Sequence, residues 1–273
     1  MLGVYGARIV PIAWNSKTHN YLKLSIADAL ASGDTDHLTK LETSGKAVKL
    51  DPRTLDPGRI LMFGGAWIRN SNFISALRQL KIASGLNLTL LVHDIIQYAA
   101  RHLYPSDVAD VFVQNLADMV DCADSFLAYS DCTIRDLTAY LATQGEHLKP
   151  IQKFRLGDIR SDEAELGDDL LERSETCASL LDQDFVIYVS SLDLRKNHIL
   201  LINVWRRLVQ QRGERAPQLL LVGRNMWRGE QIMELVAGEP QLARKVKFLQ
   251  NVDDEELHWL YSNCKFTLYP SLY

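Results

Sequence analysis

The sequence has no C-x-x-C pair, and none of its four cysteines (Cys122, Cys132, Cys177 and Cys264) has a histidine at metal-ligand spacing. That scatter argues against a disulfide framework and a structural zinc site, and it fits a reducing compartment. No apolar run approaches the roughly 18 residues needed to cross a bilayer. Met1 to Val10 lack the charged, then apolar, then small-residue order of a secretory signal. The expectation is a soluble, cytoplasmic protein. A basic excess is missing as well: 30 Lys and Arg stand against 34 Asp and Glu, a formal net charge of −4. This disfavours a nucleic-acid partner and leaves room for a local basic pocket. There is no G-x-G-x-x-G after a strand, so a dinucleotide cofactor lacks support, and no P-loop signature. G-x-S-x-G is absent too, which leaves a hydrolase nucleophile elbow without support.

What is present is an ordinary globular composition, 47% hydrophobic over 273 residues, enough for a sizeable core and long enough to suggest two domains. Short apolar runs alternate with longer amphipathic stretches. Strands are expected at Arg8 to Trp14, Arg59 to Phe63, Leu88 to Val92, Ser125 to Tyr129 and Ile151 to Leu156. Helices are expected at Asn72 to Ser84, Ser106 to Asp121 and Asp131 to Thr143, with Ser106 and Asp131 as N-caps. Ser32 to Lys49 has no clear reading. Runs such as Leu88 to Val92, apolar on both faces, belong in a parallel sheet covered on both sides.

Residues 158–184 break this rhythm with an excess of Asp and Glu and read as a solvated linker with a helical turn or two. The alternation restarts with strands at Phe185 to Ser190, Gln218 to Val222, Val246 to Leu249 and Phe266 to Tyr269. Helices lie between them at Asn197 to Gln210, Gly229 to Val236 and Asp253 to Ser262. A crossover helix normally follows a parallel strand, so the second sheet is expected to have one face uncovered. The resulting plan is α/β: an N-terminal domain over 1–157, the acidic linker over 158–184, and a C-terminal domain over 185–273 that is incomplete. Each domain is a doubly wound parallel sheet, and the two face a cleft where ligands bind beyond the strands' carboxyl ends.

Val189-Ser190-Ser191-Leu192-Asp193-Leu194-Arg195-Lys196-Asn197-His198 is the strongest local segment. Two adjacent cations follow a buried strand and precede a helix, with Asn197 as a candidate N-cap. Helix amides and full positive charges together suit a diphosphate. The plainer alternative is a pair of solvated surface cations. His93-Asp94 also follows a buried strand; His93 suits acid–base or hydroxyl contacts, and the alternative is a backbone-bonded His with Asp94 capping the next segment. Gly223 closes a strand where backbone can approach a ligand, or simply serves a tight turn. Arg224 and Trp227 share that rim. Asp34-Thr35-Asp36 has D-x-D spacing but sits in a polar loop, so a turn is favoured. The helix from Asn72, flanked by Arg69, Arg78 and Lys81, offers a peripheral contact to an anionic membrane; a core-facing helix is the stronger reading.

Ile187 to His198, Leu219 to Gly223 and Phe248 to Tyr273 resemble the nucleotide-sugar domain of retaining glycosyltransferases of family 4, the glycosyl transferases group 1, which have the GT-B fold of two Rossmann-like domains. The first domain agrees through Phe63 to Trp67, Leu91 to Asp94 and Ala123 to Ser130. The resemblance implies that Lys196 and Arg195, with Ser191, hold the donor diphosphate. It implies that His93 lies near the transferred sugar, so that His93 and Lys196 are the catalytic pair. Gly223, Arg224 and Val252 would line the nucleotide. Ser190 departs from the family's usual Gly, Ser191 from Arg or Thr, and Gln250 from Gly.

In the family, Pro270 to Tyr273 would run on into E-G-F-G and a second Glu that hold the donor, so the resemblance implies a C-terminally truncated enzyme. The implied activity is sugar transfer with retention from a nucleotide-sugar donor to a saccharide or lipid-linked acceptor, as in polysaccharide or lipopolysaccharide synthesis. No metal and no other cofactor is expected, and the inner face of the cytoplasmic membrane is an implied location. The alternatives are a non-catalytic relative that binds nucleotide weakly, and a GT-B-like sugar-nucleotide epimerase.

Overall fold

The computed structural model describes residues 10–31, 35–56, 58–63, 65–69, 71–145, 149–157, 174–226 and 229–273. The chain divides into two compact units. One comprises Met1–Arg101 with Pro105–Leu156, the other His102–Tyr104 with Gly157–Tyr273.

The first unit opens on a small antiparallel sheet of β1 (Ile12–Asn15), β2 (Asn20–Lys23) and β3 (Val48–Lys49), with α1 (Ile26–Ala31) and α2 (Thr35–Thr43) between the last two strands. The strand expected at Arg8 to Trp14 is therefore shorter, shifted and antiparallel; Arg8 and Ile9 lie outside the described residues. Its hairpin is tied to α2 by the fully buried Asn15, whose amide donates to Glu42 at 2.9 Å and Thr39 at 3.3 Å. Leu22, Leu24, Leu38, Leu41 and Ala47 close a small core of their own. Residues 35–49 of the stretch without a clear sequence reading thus belong to a folded subdomain, held by contacts too far apart in sequence for periodicity to reveal.

The main sheet of this unit is parallel, in the order β4 (Arg59–Met62), β5 (Asn87–Leu91), β6 (Ser125–Ala128), β7 (Ile151–Lys153). Leu88, Leu90, Leu91 and Val92 are all buried, as a strand covered on both faces requires. α3 (Ser71–Ser84) turns Phe73, Ile74, Leu77 and Leu80 into the core. This i, i+1, i+4, i+7 spacing forms one helical stripe, and each such side chain stabilises by about 1.5–3 kcal/mol. On its other side Arg78 pairs with Asp121 at 2.8 Å and Lys81 with Asp124 at 2.7 Å. The helix is a core-facing one, and both cations are spoken for.

After α4 (Ile96–Ala99) come α5 (Ser106–Cys122) and α6 (Asp131–Thr143). Both expected caps shift by one residue. Pro105 occupies the N-cap of α5, with no side-chain cap, and Ser106 is already helical. Ser130 caps α6 by accepting from the Thr133 amide at 3.0 Å, while Asp131 sits in the first turn and pairs with Lys153.

In the second unit β8 (Phe185–Val189), β9 (Gln218–Val222) and β10 (Val246–Leu249) form a parallel sheet in the order β10-β9-β8. Alternation along these strands sends side chains to two separate cores. Val186, Tyr188, Leu219 and Leu221 meet α8 (His198–Arg212) and α9 (Gly229–Ala237), joined by α10 (Pro240–Ala243). Phe185, Ile187, Leu220 and Val222 meet α7 (Glu175–Leu180) and α11 (Asp254–Asn263). Both faces of these strands are covered, against the expectation of an uncovered face.

Cys177 of α7 is fully buried, and Ser174 bonds Glu256 at 2.5 Å, so the end of the acidic segment packs within this unit; residues 158–173 lie outside the described residues. The strand expected at Phe266 to Tyr269 is a single bridge, Thr267 to Ile187. It is held by amides of Lys265 and Leu268 on the Phe185 and Ile187 carbonyls, and Phe266 stays exposed.

Candidate functional site

The carboxyl end of β8 is locked to that of β9. The Ser190 amide donates to the Val222 carbonyl at 2.8 Å, Leu192 to Arg224 at 2.9 Å, and Met226 back to Leu192 at 3.2 Å. Gly223, at φ +150°, makes this possible, because a Cβ there would lie 2.2 Å from the Ser190 carbonyl oxygen. The close backbone approach that a glycine permits here is made by the protein's own Ser190.

Beyond Ser190 and the half-buried Ser191 the chain makes a short 3-10 turn, Leu194–Lys196, capped by Asp193, whose carboxylate accepts from the Arg195 amide at 2.9 Å. Asn197 then adopts the left-handed conformation at φ 57° and starts α8. It occupies the N-cap but makes no side-chain cap; its amide donates instead to the Pro270 carbonyl at 3.1 Å. The expected cap is thus a tie to a segment 73 residues away. The N-terminus of this 15-residue helix thus lacks a side-chain cap from Asn197, and helix N-termini of this kind bind anions. A second tie, from the Leu272 amide to the Arg195 carbonyl at 2.9 Å, holds the same segment in place.

Lys196 is held at both ends. Its carbonyl accepts from the hydroxyl of the fully buried Tyr188 at 2.9 Å. Its ammonium donates to the Tyr269 hydroxyl at 2.9 Å and lies 4.9 Å from the centroid of the same ring. Tyr188 meets that ring edge-on, 5.8 Å between centroids. Lys196 in turn draws the Tyr269 phenol below the usual tyrosine range. Arg195 is half-buried and its Nε is buried without a hydrogen-bond partner. Among the described residues neither cation is ion-paired with a carboxylate.

His198, 1% exposed, packs 5.0 Å from the Tyr188 ring with Nε2 at 3.4 Å from the Ser190 hydroxyl. Burial lowers its pKa. Arg224 is exposed on the neighbouring loop. Val252 is half-buried, packed on the α7–α11 core, directly after Asn251 at φ 59°.

The second unit therefore brings together Ser191, Arg195, Lys196, Gly223 and Arg224 at the ends of β8 and β9. Sequence reasoning missed Tyr188, Tyr269 and His198. Alternation along β8 marks Tyr188 as inward, but nothing local ties Tyr269 to a lysine so distant in sequence.

In the first unit, His93 follows β5 as expected. It is exposed, with Nε2 3.3 Å from the Phe63 carbonyl oxygen and its ring 5.8 Å from Tyr129. Its carbonyl accepts from Thr133, and Asp94 accepts from the Ile96 amide at 3.2 Å. Of the D-x-D triplet, Thr35 and Asp36 open α2 rather than a turn, and Asp36 pairs with Lys17; Asp34 and Trp227 lie outside the described residues. Among the described residues no helix is long and apolar enough to cross a membrane, and no cluster of three His, Cys, Asp or Glu is placed to hold a metal ion.

Comparison with known proteins bears on this site. Residues 175–273 match the family model of the glycosyl transferases group 1. The serotype-specific mannosyltransferase WbdA of Escherichia coli is 24% identical over 195 residues, covering 69% of this chain and 24% of WbdA. The O-antigen chain mannosyltransferase B of Escherichia coli is 23% identical over 188 residues, covering 66% of this chain and 46% of that enzyme. The chain thus spans less than half the length of either relative.

Among solved structures, the UDP-forming α,α-trehalose-phosphate synthase of Burkholderia vietnamiensis aligns over 89% of this chain and 59% of its own, with a TM-score of 0.57 at 13% identity. Anabaena Alr3699/HepE, solved with UDP and glucose, aligns over 86% and 55%, with a TM-score of 0.51 at 15% identity. These likenesses establish the fold, the α/β GT-B fold with parallel sheets.

Proposed function

We propose that this chain, whose second unit matches the group 1 glycosyltransferases, binds a nucleotide-sugar donor at the carboxyl end of β8. There it serves the retaining transfer of the donor's sugar to a saccharide or lipid-linked acceptor. The observation that carries this reading is the pair Arg195 and Lys196. Two adjacent cations stand at a strand end beside uncapped helix amides, with no carboxylate to neutralise them among the described residues. Such a pair is in want of an anion, and a diphosphate supplies two.

The chemistry follows from the charge that must be stabilised. Breaking the bond between sugar and diphosphate builds negative charge on the leaving phosphate. Preorganised donors at that point lower the barrier most, because they need no reorganisation as the charge appears. Lys196 and the first amides of α8 take that role, Arg195 and Ser191 hold the diphosphate, and Gly223, Arg224 and the Val252 backbone border the nucleotide. Two relatives carry the name mannosyltransferase, and one of them acts on the O-antigen chain. That supports mannose as the sugar and a bacterial surface polysaccharide as the product.

The test is a thermal-shift series with UDP, GDP and ADP on the full chain. One nucleoside diphosphate should raise Tm, as any ligand that binds only the folded state does, and Lys196→Ala should abolish the shift. If none of the three stabilises the wild-type protein at millimolar concentration, the donor-site reading is wrong.

A further inference from the structure

The hydroxyl of Tyr269 and the face of its ring both address one ammonium, that of Lys196, at 2.9 Å from the oxygen and 4.9 Å from the centroid. The tyrosine itself is 69% exposed, so burial does not explain its position. It is held instead by its neighbours. Tyr188 braces the ring edge-on, and the next residues are pinned to the turn that carries Lys196, through Asn197 to Pro270 and Leu272 to Arg195. Tyr188 also bonds the Lys196 carbonyl. One lysine is thus fixed at its backbone by one tyrosine and at its head group by another.

We infer that Tyr269 is a positioning residue for anion binding, holding the Lys196 ammonium in place at the carboxyl end of β8 before the nucleoside diphosphate arrives. The inference rests on the donor-site reading of Lys196. A lysine side chain loses much of its rotamer freedom when immobilised. A tyrosine that has already restricted it removes part of that cost from binding. The contact does not use up the ammonium, since it carries three donors and the phenol takes one, which leaves two for phosphate oxygens. The ring face adds attraction without consuming a donor.

Tyr269 also makes the site sensitive to alkaline pH. The hydrogen bond from Lys196, with Ser271 and the Arg195 charge, lowers the pKa of its phenol, and the Tyr269 phenol in turn raises that of Tyr261 of α11. Once ionised, the phenol would bind Lys196 more tightly and repel an incoming diphosphate.

The test is calorimetric titration of the full chain with UDP and GDP from pH 7.5 to 10, for wild type, Lys196→Ala, Tyr269→Phe and Tyr269→Leu. Tyr269→Phe keeps the ring and should weaken binding at pH 7.5 roughly threefold, and Tyr269→Leu, which loses both contacts, roughly tenfold or more. Wild type should lose affinity as Tyr269 ionises, in a step below the ordinary tyrosine range, and both Tyr269 variants should lack that step. If Lys196→Ala loses binding while both Tyr269 variants match wild type in affinity and pH profile, the positioning role is overturned. If wild type binds neither nucleotide, or Lys196→Ala binds as wild type does, the donor-site reading itself falls, and the inference with it.

Discussion

The carbonyl oxygen of Ser190 occupies the space where a side chain on Gly223 would begin, 2.2 Å from the ideal Cβ position. The ends of β8 and β9 close on each other only because residue 223 has no side chain. With φ at +150°, even an alanine is strained there apart from the clash. Gly223→Ala should therefore destabilise the protein by at least about 2 kcal/mol, read as a lower urea midpoint. Because the same loop carries the rim of the proposed site, nucleoside-diphosphate binding should fall with it. An unchanged midpoint would mean that the loop relaxes freely and the zipper is not structural.

Lys196 separates charge from geometry. Lys196→Ala removes the ammonium and should weaken nucleoside-diphosphate binding at least roughly tenfold, the range for a charged hydrogen bond. Lys196→Arg keeps the charge but not the compact head seated on Tyr269, and should recover only part of the affinity. Full recovery by arginine in a calorimetric titration would show that charge alone matters at this position.

His198 should leave a signature in the pH dependence of stability. Burial lowers its folded-state pKa, so near and below the ordinary imidazole value the unfolded chain binds a proton that the folded chain does not. Stability contributed by neutral His198 is present above that value and is lost as pH falls through it. Urea midpoints measured between pH 8 and pH 5.5 should decline on the acid side, and His198→Gln should flatten the decline. An equal slope in the variant would assign the acid sensitivity to other groups.

The N-termini of α5 and α6 make a paired control. Ser130→Ala removes a side-chain bond to the Thr133 amide and should cost about 1 kcal/mol. Ser106→Ala touches a residue already inside its helix and should change stability by less than about 0.5 kcal/mol. Comparable losses in chemical denaturation would return Ser106 to the cap position.

Local pattern made much of the fold legible. β9 and β10 lie where their apolar runs put them, and α6 starts and stops where its periodicity does. Caps were read one residue late, because Ser-Asp and Pro-Ser pairs offer adjacent candidates and only backbone dihedral angles decide between them. The hairpin of β1 and β2 escaped because its support comes from Asn15 reaching α2, a bond across 27 residues.

The sequence alone determined the alternating strand and helix plan, the two parallel sheets and the candidate cations after β8. These follow from side-chain period and charge, which are properties of neighbours along the chain. Tertiary structure decided what surrounds those cations. Asn197 ties a distant segment instead of capping its helix, Gly223 makes way for the Ser190 carbonyl, and Tyr269 takes hold of Lys196. Each of these depends on residues brought together by packing across tens of positions, and spacing in the sequence carries no record of it.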